Sequence, residues 1–166
     1  QLCTLKQTLL NNIKTIDITR GYDMKSDPKF HRILLKLSGE SLMGQNDFGL
    51  HHATVNRICS EIKQISDRKV EICLVVGGGN IFRGVSSKSR DLNRVTADYM
   101  GMLGTVINAL ALKNALDNIG ATSHVLSAIP MSPICEPYTS ENANKYLSTG
   151  SIVIFAAGTG NPLFTT

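Results

Sequence analysis

The sequence predicts an α/β domain: a doubly wound, three-layer fold whose parallel sheet has helices on both faces. Short apolar segments alternate with longer amphipathic segments along the chain, which is the order of strand and helix in such folds. A turn rich in glycine or serine closes most of the apolar segments. The 166 residues are 42% hydrophobic and 18% charged, enough apolar surface for the core of one domain.

The first half of the chain contains two predicted strands and one helix. Arg32 to Leu37 is a short apolar run closed by Ser38-Gly39, which indicates a buried strand. In residues 51–68 apolar side chains recur at the 3.6-residue spacing of an amphipathic helix. Val70 to Val76 is the second predicted strand, and Gly77-Gly78-Gly79 ends it.

The second half repeats this alternation with a long helix, a strand, a short helix and a last strand. Thr139 or Ser140 can cap the short helix, and Gly150 ends it. The predicted bounds are Asn93 to Asn118 for the long helix, with Gly120 just beyond it, and Ser123 to Ser127 and Ser151 to Ala156 for the two strands.

Charge and composition exclude several classes of partner. The net charge of +4 is divided evenly between residues 1–31 and the rest, so no concentrated basic face for nucleic acid is predicted. The longest apolar runs are far shorter than the ~20 residues of a membrane span, so no membrane partner is predicted either. The four cysteines form no C-x-x-C pair, which favours reduced, buried thiols in a reducing compartment.

The two ends of the chain differ from its middle. Residues 1–30 are expected to be an N-terminal extension outside the core, with Met24 as a plausible start. The helical spacing of Leu2, Leu5 and Leu9 leaves a docking helix or a targeting segment open as alternatives. At the other end a Gly/Thr/Asn-rich turn, which normally leads into a further element, is the last feature. The sequence is therefore expected to end before the protein does.

Turns that follow the predicted strands point to one site. In open parallel sheets, ligands bind beyond the carboxyl ends of the strands, and right-handed crossovers bring those ends to a common edge. All four ends carry polar or glycine-rich turns. These turns are Ser38-Gly39-Glu40, Gly77-Gly78-Gly79-Asn80, Ser127-Ala128-Ile129-Pro130 and Gly158-Thr159-Gly160-Asn161.

The residues of these turns suit phosphate groups. Three consecutive glycines leave backbone N–H groups unshielded, so that an anion can approach closely. Arg83 supplies a forked cation and Lys36 a point charge. Gly158 and Gly160, with the hydroxyls of Thr159, Thr165 and Thr166, offer a second set of donors. Together they favour phosphoryl transfer, although each feature alone also fits a tight turn or a surface charge.

Other candidate residues leave the choice open or exclude a function. Asp98 is either a surface carboxylate or an acceptor for ribose hydroxyls. His51 and His52 point to different faces and are not expected to share a metal, and His124 is expected to be structural. The sequence contains no P-loop, no G-x-G-x-x-G fingerprint and no G-x-S-x-G elbow, which argues against the P-loop kinases, dinucleotide enzymes and hydrolases that use them.

Five ordered stretches of the chain resemble the bacterial UMP kinases (uridylate kinases) of the amino acid kinase family, almost continuously from His31 to Thr166. The resemblance implies an amino acid kinase-like fold, with residues 31–166 as the UMP-binding part of a domain that lacks its ATP lobe. It also implies transfer of a phosphoryl group from ATP to UMP with Mg²⁺, in a cytoplasmic homohexamer. The stretches are RILLKLSGESLMG (32–44), VVGGGNIFRG (75–84), NRVTADYMGMLGTVIN (93–108), SAIPM (127–131) and AAGTGNPLFTT (156–166).

The same resemblance implies roles for individual residues. Lys36 and Arg83 correspond to catalytic groups on the transferring phosphoryl group, and no residue is implied as a metal ligand. The implied ATP-binding residues are Lys36, Leu37, Ser38, Gly39, Gly79 and Arg83. The implied UMP-binding residues are Gly78, Asp98, Thr159, Gly160, Asn161, Pro162, Leu163, Phe164, Thr165 and Thr166, which gives Asp98 the ribose role.

Family members continue past the Thr165-Thr166 pair with an aspartate and a second lobe, which this sequence does not contain. The chain alone is therefore expected to be an incomplete and poorly active kinase. Two alternatives stay open: a related kinase that acts on a carboxylate or phosphate ester, and a nucleotide-binding module without catalysis.

Overall fold

The computed structural model describes residues 28–83 and 92–164. They form five strands, three α-helices and one turn of 3₁₀ helix. The predicted extension, residues 1–30, lies almost wholly outside the described residues. The strands are β1 (Arg32–Leu37), β2 (Glu71–Val76), β3 (Ser123–Ser127), β4 (Glu136–Pro137) and β5 (Ile152–Ala156); the helices are α1 (His52–Ser66), α2 (Arg94–Asn118) and α3 (Ser140–Ser148), and the 3₁₀ turn is Gly39–Leu42.

The four predicted strands and three predicted helices are confirmed, and their bounds differ from the predicted ones by at most two residues. The side chain of Asn93 caps α2 by accepting from the N–H of Val95, and that of Thr139 caps α3 by accepting from Asn142. Strand β4 is an addition. It has only two residues, too few to show the alternation of a strand, and its Pro137 is tolerated because β4 lies at the edge of the sheet.

All five strands are parallel and lie in the order β1-β2-β5-β3-β4. Leu37 pairs with Val76, and Ser127 pairs with Ala156. The carboxyl ends of the strands therefore lie along one edge, as the sequence predicted. The predicted α/β class with a parallel, helix-covered sheet is confirmed.

One face of the sheet, here called the first face, packs against α1 and α2. Alternate residues of β2 and β5, such as Leu74 and Ile154, point into this core and are fully buried. Helix α1 contributes the apolar stripe that predicted it, including Cys59. Helix α2 contributes Met102 and Leu112, both fully buried. The main hydrophobic core of the domain lies here.

Among the described residues, the opposite, second face is covered only by the nine-residue helix α3. Its core is small and consists of Cys73, Leu126, Ala143, Leu147 and Val153. Beyond α3 no other described helix covers this face, and the side chains of Leu34 and Tyr138 are 61% and 51% exposed. The second face therefore combines a thin core with exposed apolar side chains.

Helix α2 is long and apolar enough to cross a membrane by length and composition alone. Ten of its residues are buried inside the domain, and it contacts α1, β3 and β5. Its apolar character is thus accounted for by its packing against the sheet and against α1.

Candidate active site

The turns that follow β1 and β2 are in direct backbone contact. The N–H of Gly77 donates to the carbonyl of Leu37 over 2.9 Å. A Cβ atom on Gly39 would lie 2.7 Å from the oxygen of Gly77 and 2.9 Å from the nitrogen of Gly79, closer than side chains approach. Only glycine fits at position 39. The turn at Ser38-Gly39 and the three-glycine turn (residues 77–79) therefore meet, as the sequence predicted.

Gly78 and Gly79 lack side chains for different reasons. A Cβ on Gly78 would lie 2.5 Å from the carbonyl oxygen of Gly101 on α2. On the helix side, a Cβ on Gly104 would lie 3.1 Å from the oxygen of Gly78, so the two backbones touch. A Cβ on Gly79 would approach only the Nε of Arg83, at 3.9 Å, among the described atoms. Gly78 packs the turn on α2, whereas a side chain on Gly79 would meet no other described residue than Arg83.

Two N–H groups of the three-glycine turn have no backbone acceptor in the described part of the chain. Within residues 28–83 and 92–164, neither Gly78 nor Gly79 donates its N–H to a backbone carbonyl. The carbonyl of Gly78 accepts from the N–H groups of Ile81 (3.0 Å) and Phe82 (2.9 Å). The C=O and N–H of a planar trans peptide group point in opposite directions. Fixing the Gly78 carbonyl therefore aims the N–H of Gly79, and such aimed N–H groups bind anions.

Charged side chains flank these turns. Arg83 forms an ion pair with Glu40, which connects the end of the three-glycine turn to the 3₁₀ turn after β1. Lys36 is the penultimate residue of β1 and pairs in register with Val75. Because Leu35 and Leu37 pack on the first face, the alternation of the strand directs Lys36 to the second face.

The turn after β3 touches the loop after β5, here called the β5 loop (residues 157–164). The N–H of Ala128 donates to the carbonyl of Ala156 over 3.1 Å. Gly160 has a φ of +73°, and a Cβ there would lie 2.9 Å from the oxygen of Ala128. Position 160 therefore needs glycine both for its left-handed backbone and for this close approach.

Helix α2 holds the β5 loop at both ends. The N–H of Ala157 donates to the buried hydroxyl of Thr105 over 2.7 Å. At the far end the N–H of Leu163 donates to Oδ2 of Asp98 over 2.7 Å. The other carboxylate oxygen, Oδ1, accepts from Nε of Arg94 over 2.9 Å. Asp98 therefore connects the first turns of α2 to the end of the loop.

The contacts of Asp98 change its pKa. The backbone N–H of Leu163 is the main cause of a pKa below the usual carboxyl value. Burial opposes it with a smaller effect, and the neighbouring Arg94 adds to the lowering. The Asp98 side chain is 14% exposed. It is thus an ionised acceptor at neutral pH, close to solvent at the edge of the sheet.

A cavity of about 350 Å³ opens at the carboxyl edge on the second face. Its wall is mainly apolar, and the β5 loop provides Gly158 and Thr159 at its rim. The other lining residues are Val75, Val76, Leu126, Ala128, Tyr138, Phe155 and Ala156. Val75 and Phe155 are register partners, and Lys36 stands next to Val75 in the same row. This row places a cation beside the cavity.

The structure brings most of the predicted site residues to this edge. Lys36 and Asp98 approach it from opposite sides of the sheet, so a ligand that touches both must lie across the edge. The side chains of Leu163 and Phe164 are exposed rather than folded inward. Asn161 and Pro162 lie in the same exposed part of the β5 loop. The predicted residues Thr165 and Thr166 lie outside the described residues.

Three polar residues hold these turns, and the sequence assigned none of them a role, although Asn80 belongs to a predicted turn. Thr105 anchors the β5 loop, and the buried amides of Asn80 and Asn108 face each other behind the three-glycine turn. A signal existed for Asn108, because an amide on the buried side of an otherwise apolar helix needs a partner.

The family model for the amino acid kinase family matches residues 31–163. This chain belongs to the amino acid kinase family. Among its curated relatives, the uridylate kinase of Zymomonas mobilis subsp. mobilis is 53% identical over 143 residues, 86% of this chain and 59% of the relative. The uridylate kinase of Paramagnetospirillum magneticum is 55% identical over 143 residues, 86% of this chain and 60% of the relative.

Solved structures agree with this membership. The UMP kinase of Ureaplasma parvum superposes with a TM-score of 0.76 at 40% identity, over 83% of this chain and 60% of that structure. The UMP kinase of Bacillus anthracis superposes with a TM-score of 0.77 at 39% identity, over 82% of this chain and 56% of that structure. The chain therefore spans about three fifths of the length of the curated relatives it matches.

Proposed function

We propose that this chain forms the UMP-binding part of a kinase that transfers the γ-phosphoryl group of ATP to UMP, giving UDP for pyrimidine nucleotide synthesis. The observation that carries the proposal is that backbone N–H donors and a carboxylate acceptor lie at the same edge of the sheet. Among residues 28–83 and 92–164 the N–H groups of Gly78 and Gly79 have no backbone acceptor, and Gly79 lies beside Arg83. Asp98 is held against the β5 loop. Relatives named uridylate kinase, at 53% and 55% identity, support the choice of substrate.

The geometry suits phosphoryl transfer, in which catalysis depends on positioning and on neutralising charge. We assign Gly78 to the phosphate of UMP and Gly79 to the phosphates of ATP, both through backbone N–H groups. Arg83 would contact the phosphates beside Gly79. Lys36 would neutralise the transferring group from the second face, together with the turn formed by Leu37, Ser38 and Gly39.

Asp98 and the β5 loop would hold the nucleoside. A carboxylate with a lowered pKa stays ionised and accepts hydrogen bonds from neighbouring ribose hydroxyls. Within Thr159 to Phe164, the N–H of Leu163 already donates to Asp98 of α2. A bound nucleoside would therefore lie between this loop and α2. We assign Thr159 through Thr166 to the wall of the UMP site.

Mg²⁺ is expected with the phosphates of ATP. The residues within 28–83 and 92–164 contain no group of three or more His, Cys, Asp or Glu side chains that could hold a metal ion. Glu40, the carboxylate of the 3₁₀ turn, is paired with Arg83. These residues do not form a protein-built Mg²⁺ site, so no step is assigned to a metal held by them.

The exposed side of α2 supports a homo-oligomer, which we expect to be the hexamer of the family. Tyr99, Leu103 and Ile107 recur every four residues along the helix and are 40–49% exposed, and Met100 lies beside them. An apolar stripe of this kind is typical of a helix that packs against a partner. Light scattering should give a multiple of the chain mass, and L103E should reduce it; a monomer in both proteins would reject the oligomer.

A cytoplasmic location is also part of the proposal. The three cysteines among the described residues, Cys59, Cys73 and Cys135, are all buried free thiols. Burial raises the pKa of Cys59 to about 11, so this thiol resists ionisation and oxidation. Reduced cysteines of this kind suit a reducing compartment.

The experiment that tests the function is calorimetric titration of UMP into the 166-residue chain and three variants. We expect D98N to weaken UMP binding about tenfold or more, because a hydrogen bond to a charged acceptor is lost. K36A should leave UMP affinity within about threefold, since Lys36 is assigned to the transferring group. D67N is the matched control: Asp67 lies at the end of α1, far from the carboxyl edge, and pairs only with Lys63 among the described residues.

The alternatives predict other outcomes of the same titration. A kinase for carboxylates or phosphate esters would bind aspartate or N-acetylglutamate in preference to UMP. A nucleotide-binding module would bind UMP and yet release no ADP from ATP even when extended to the full length of its relatives. For the 166-residue chain, which spans about three fifths of its relatives' length, we expect little or no ADP release. Ordinary kinase rates would contradict this expectation.

A further inference from the structure

Two buried asparagines face each other behind the three-glycine turn. Asn80 is 2% exposed and Asn108 is fully buried. Asn80 is the residue that follows the turn, and Asn108 lies on α2. Buried side-chain amides are retained in a core only where their hydrogen bonds are made.

Every side-chain N–H of the pair has an acceptor. The Nδ2 of Asn108 donates to the carbonyl of Gly77 and to Oδ1 of Asn80, both over 2.6 Å. The Nδ2 of Asn80 donates to the carbonyl of Gly49 (2.8 Å) and to Oδ1 of Asn108 (3.0 Å). Backbone carbonyls only accept hydrogen bonds, so Nδ2 of Asn80 must face the Gly49 carbonyl and Nδ2 of Asn108 must face the Gly77 carbonyl. The two bonds between the amides are compatible with this single orientation.

The pair joins four segments around the proposed phosphate site. Gly77 opens the three-glycine turn, and Asn80 closes it. The carbonyl of Asn80 also accepts from the N–H of Gly49, just before α1. A Cβ on Gly39 would overlap Oδ1 of Asn80, so the amide also touches the turn after β1. Helix α2, through Asn108, is thus connected to both phosphate turns.

The contact with Gly77 has a directional consequence. Asn108 holds the Gly77 carbonyl, and the N–H of Gly78 belongs to the same peptide group. In a planar trans peptide these two bonds point in opposite directions, so the amide of Asn108 aims the Gly78 N–H away from itself. In the same way, the Gly78 carbonyl, which accepts from the N–H groups of Ile81 and Phe82, fixes the direction of the Gly79 N–H.

We propose that Asn80 and Asn108 are positioning residues, which set the direction of the Gly78 and Gly79 N–H groups toward the phosphates without touching the ligand. This inference rests on the proposed function, because it concerns the same phosphate site. Both amides are buried, so they act only through the turn. Two donors that already point at the anion do not have to rearrange when it binds. Their hydrogen bonds therefore contribute more to binding than those of donors that must first reorient.

The test compares N108A with L112A. Leu112 lies one helical turn further along α2, away from the three-glycine turn, and is also fully buried, so L112A controls for lost stability. At a temperature where both variants are folded, we expect N108A to weaken UMP binding about tenfold and L112A less than about twofold. N108L is the second variant, since its side chain fills the space of the amide without any donor.

A second measurement needs no nucleotide. In ¹⁵N spectra of the ligand-free chain, N108A should shift the amide resonances of Gly78 and Gly79, and L112A should leave them in place. If N108A does not fold, the same spectra of the unaltered chain test the positioning role. Its Asn80 and Asn108 side-chain NH₂ groups should exchange with water slowly and keep their shifts when UMP is added, while Gly78 and Gly79 shift.

The two hypotheses fail in different ways. If the unaltered chain does not bind UMP but N108A still shifts the glycine amides, the proposed function is wrong and the positioning role stands. If the unaltered chain binds UMP and N108A binds it equally well, or L112A loses as much affinity, the positioning role is wrong. Rapid exchange of the two side-chain amides would also overturn it.

Discussion

Two regions of the carboxyl edge, the three-glycine turn and the β5 loop, are both anchored on α2, but by different chemistry. The turn is held by a buried neutral amide and by backbone contact with the helix. The β5 loop is held by a buried hydroxyl at Ala157 and by a carboxylate near solvent at Leu163. The first arrangement fixes its donors before any ligand arrives. The second ends on a charged group that a nucleoside would itself contact.

This difference separates a rigid region from an adjustable one. Water and ligand cannot reach Asn108, so its hydrogen bonds persist when the site fills. Asp98 is accessible, and a ribose hydroxyl would share or replace its contact with Leu163. The phosphate end of the site is therefore expected to stay fixed on binding, whereas the far end of the β5 loop is expected to move.

The largest effect should come from adding one methyl group to the turn. G78A would place a Cβ against the backbone of α2, which cannot move aside as a side chain can. We expect a loss of about 3 kcal/mol in the free energy of unfolding, at the upper end for overpacking. Urea unfolding measures it.

G79A is the matched control for this change. Its Cβ meets only Arg83 Nε, at 3.9 Å, among the described atoms. Its free energy of unfolding should stay within about 1 kcal/mol of the unaltered chain. Equal losses in the two variants would contradict the distinction between a packing glycine and an open one.

A smaller effect is expected at the buried anchor of the β5 loop. T105V keeps the shape of the side chain but leaves the N–H of Ala157 without its acceptor. Such an unsatisfied buried donor costs about 1–3 kcal/mol. Urea unfolding should show this loss, and T105S, which keeps the hydroxyl, should recover most of it. A T105V chain as stable as the unaltered one would show that the loop does not depend on this bond.

The smallest effect is expected at Asp98, and it appears as a pH dependence. A carboxyl whose pKa is lowered by folding stabilises the folded state above its ordinary pKa, here 3.8, and that stabilisation is lost as the pH falls through the lowered value. The Leu163 amide resonance should therefore be constant from pH 7 to 5 and titrate with a midpoint below 3.8. D98N should abolish the change. A midpoint above 3.8 would show that Leu163 does not hold the carboxylate.

Patterns that repeat along the chain made much of this architecture predictable. The spacing of apolar residues predicts α1 because all its buried side chains face the same core and therefore recur with the period of the helix. The alternation in β1 would also have predicted the side on which Lys36 lies. Strand β4 was missed because two residues, one of them Pro137, show no period. Their pairing with Leu126 and Ser127 depends on the rest of the sheet.

The site was predictable in its location but not in its connections. Glycine turns after strands indicate where a phosphate can bind, yet they do not show that Gly78 is also required by α2. The bond between Asp98 and Leu163 joins residues 65 positions apart, and no local pattern encodes it. The Asn80–Asn108 pair is likewise a product of the tertiary fold, since each amide finds its acceptors only when four segments meet.

The contact between Gly78 and Gly104 restricts how this protein can change. Both partners already have the smallest residue, so no exchange at one position can make room for a larger residue at the other. A genetic screen for suppressors of G78A would therefore recover no compensating change within the pair. Suppressor mutations elsewhere would have to shift the axis of α2, and that movement would displace Asn108, Thr105 and Asp98 together.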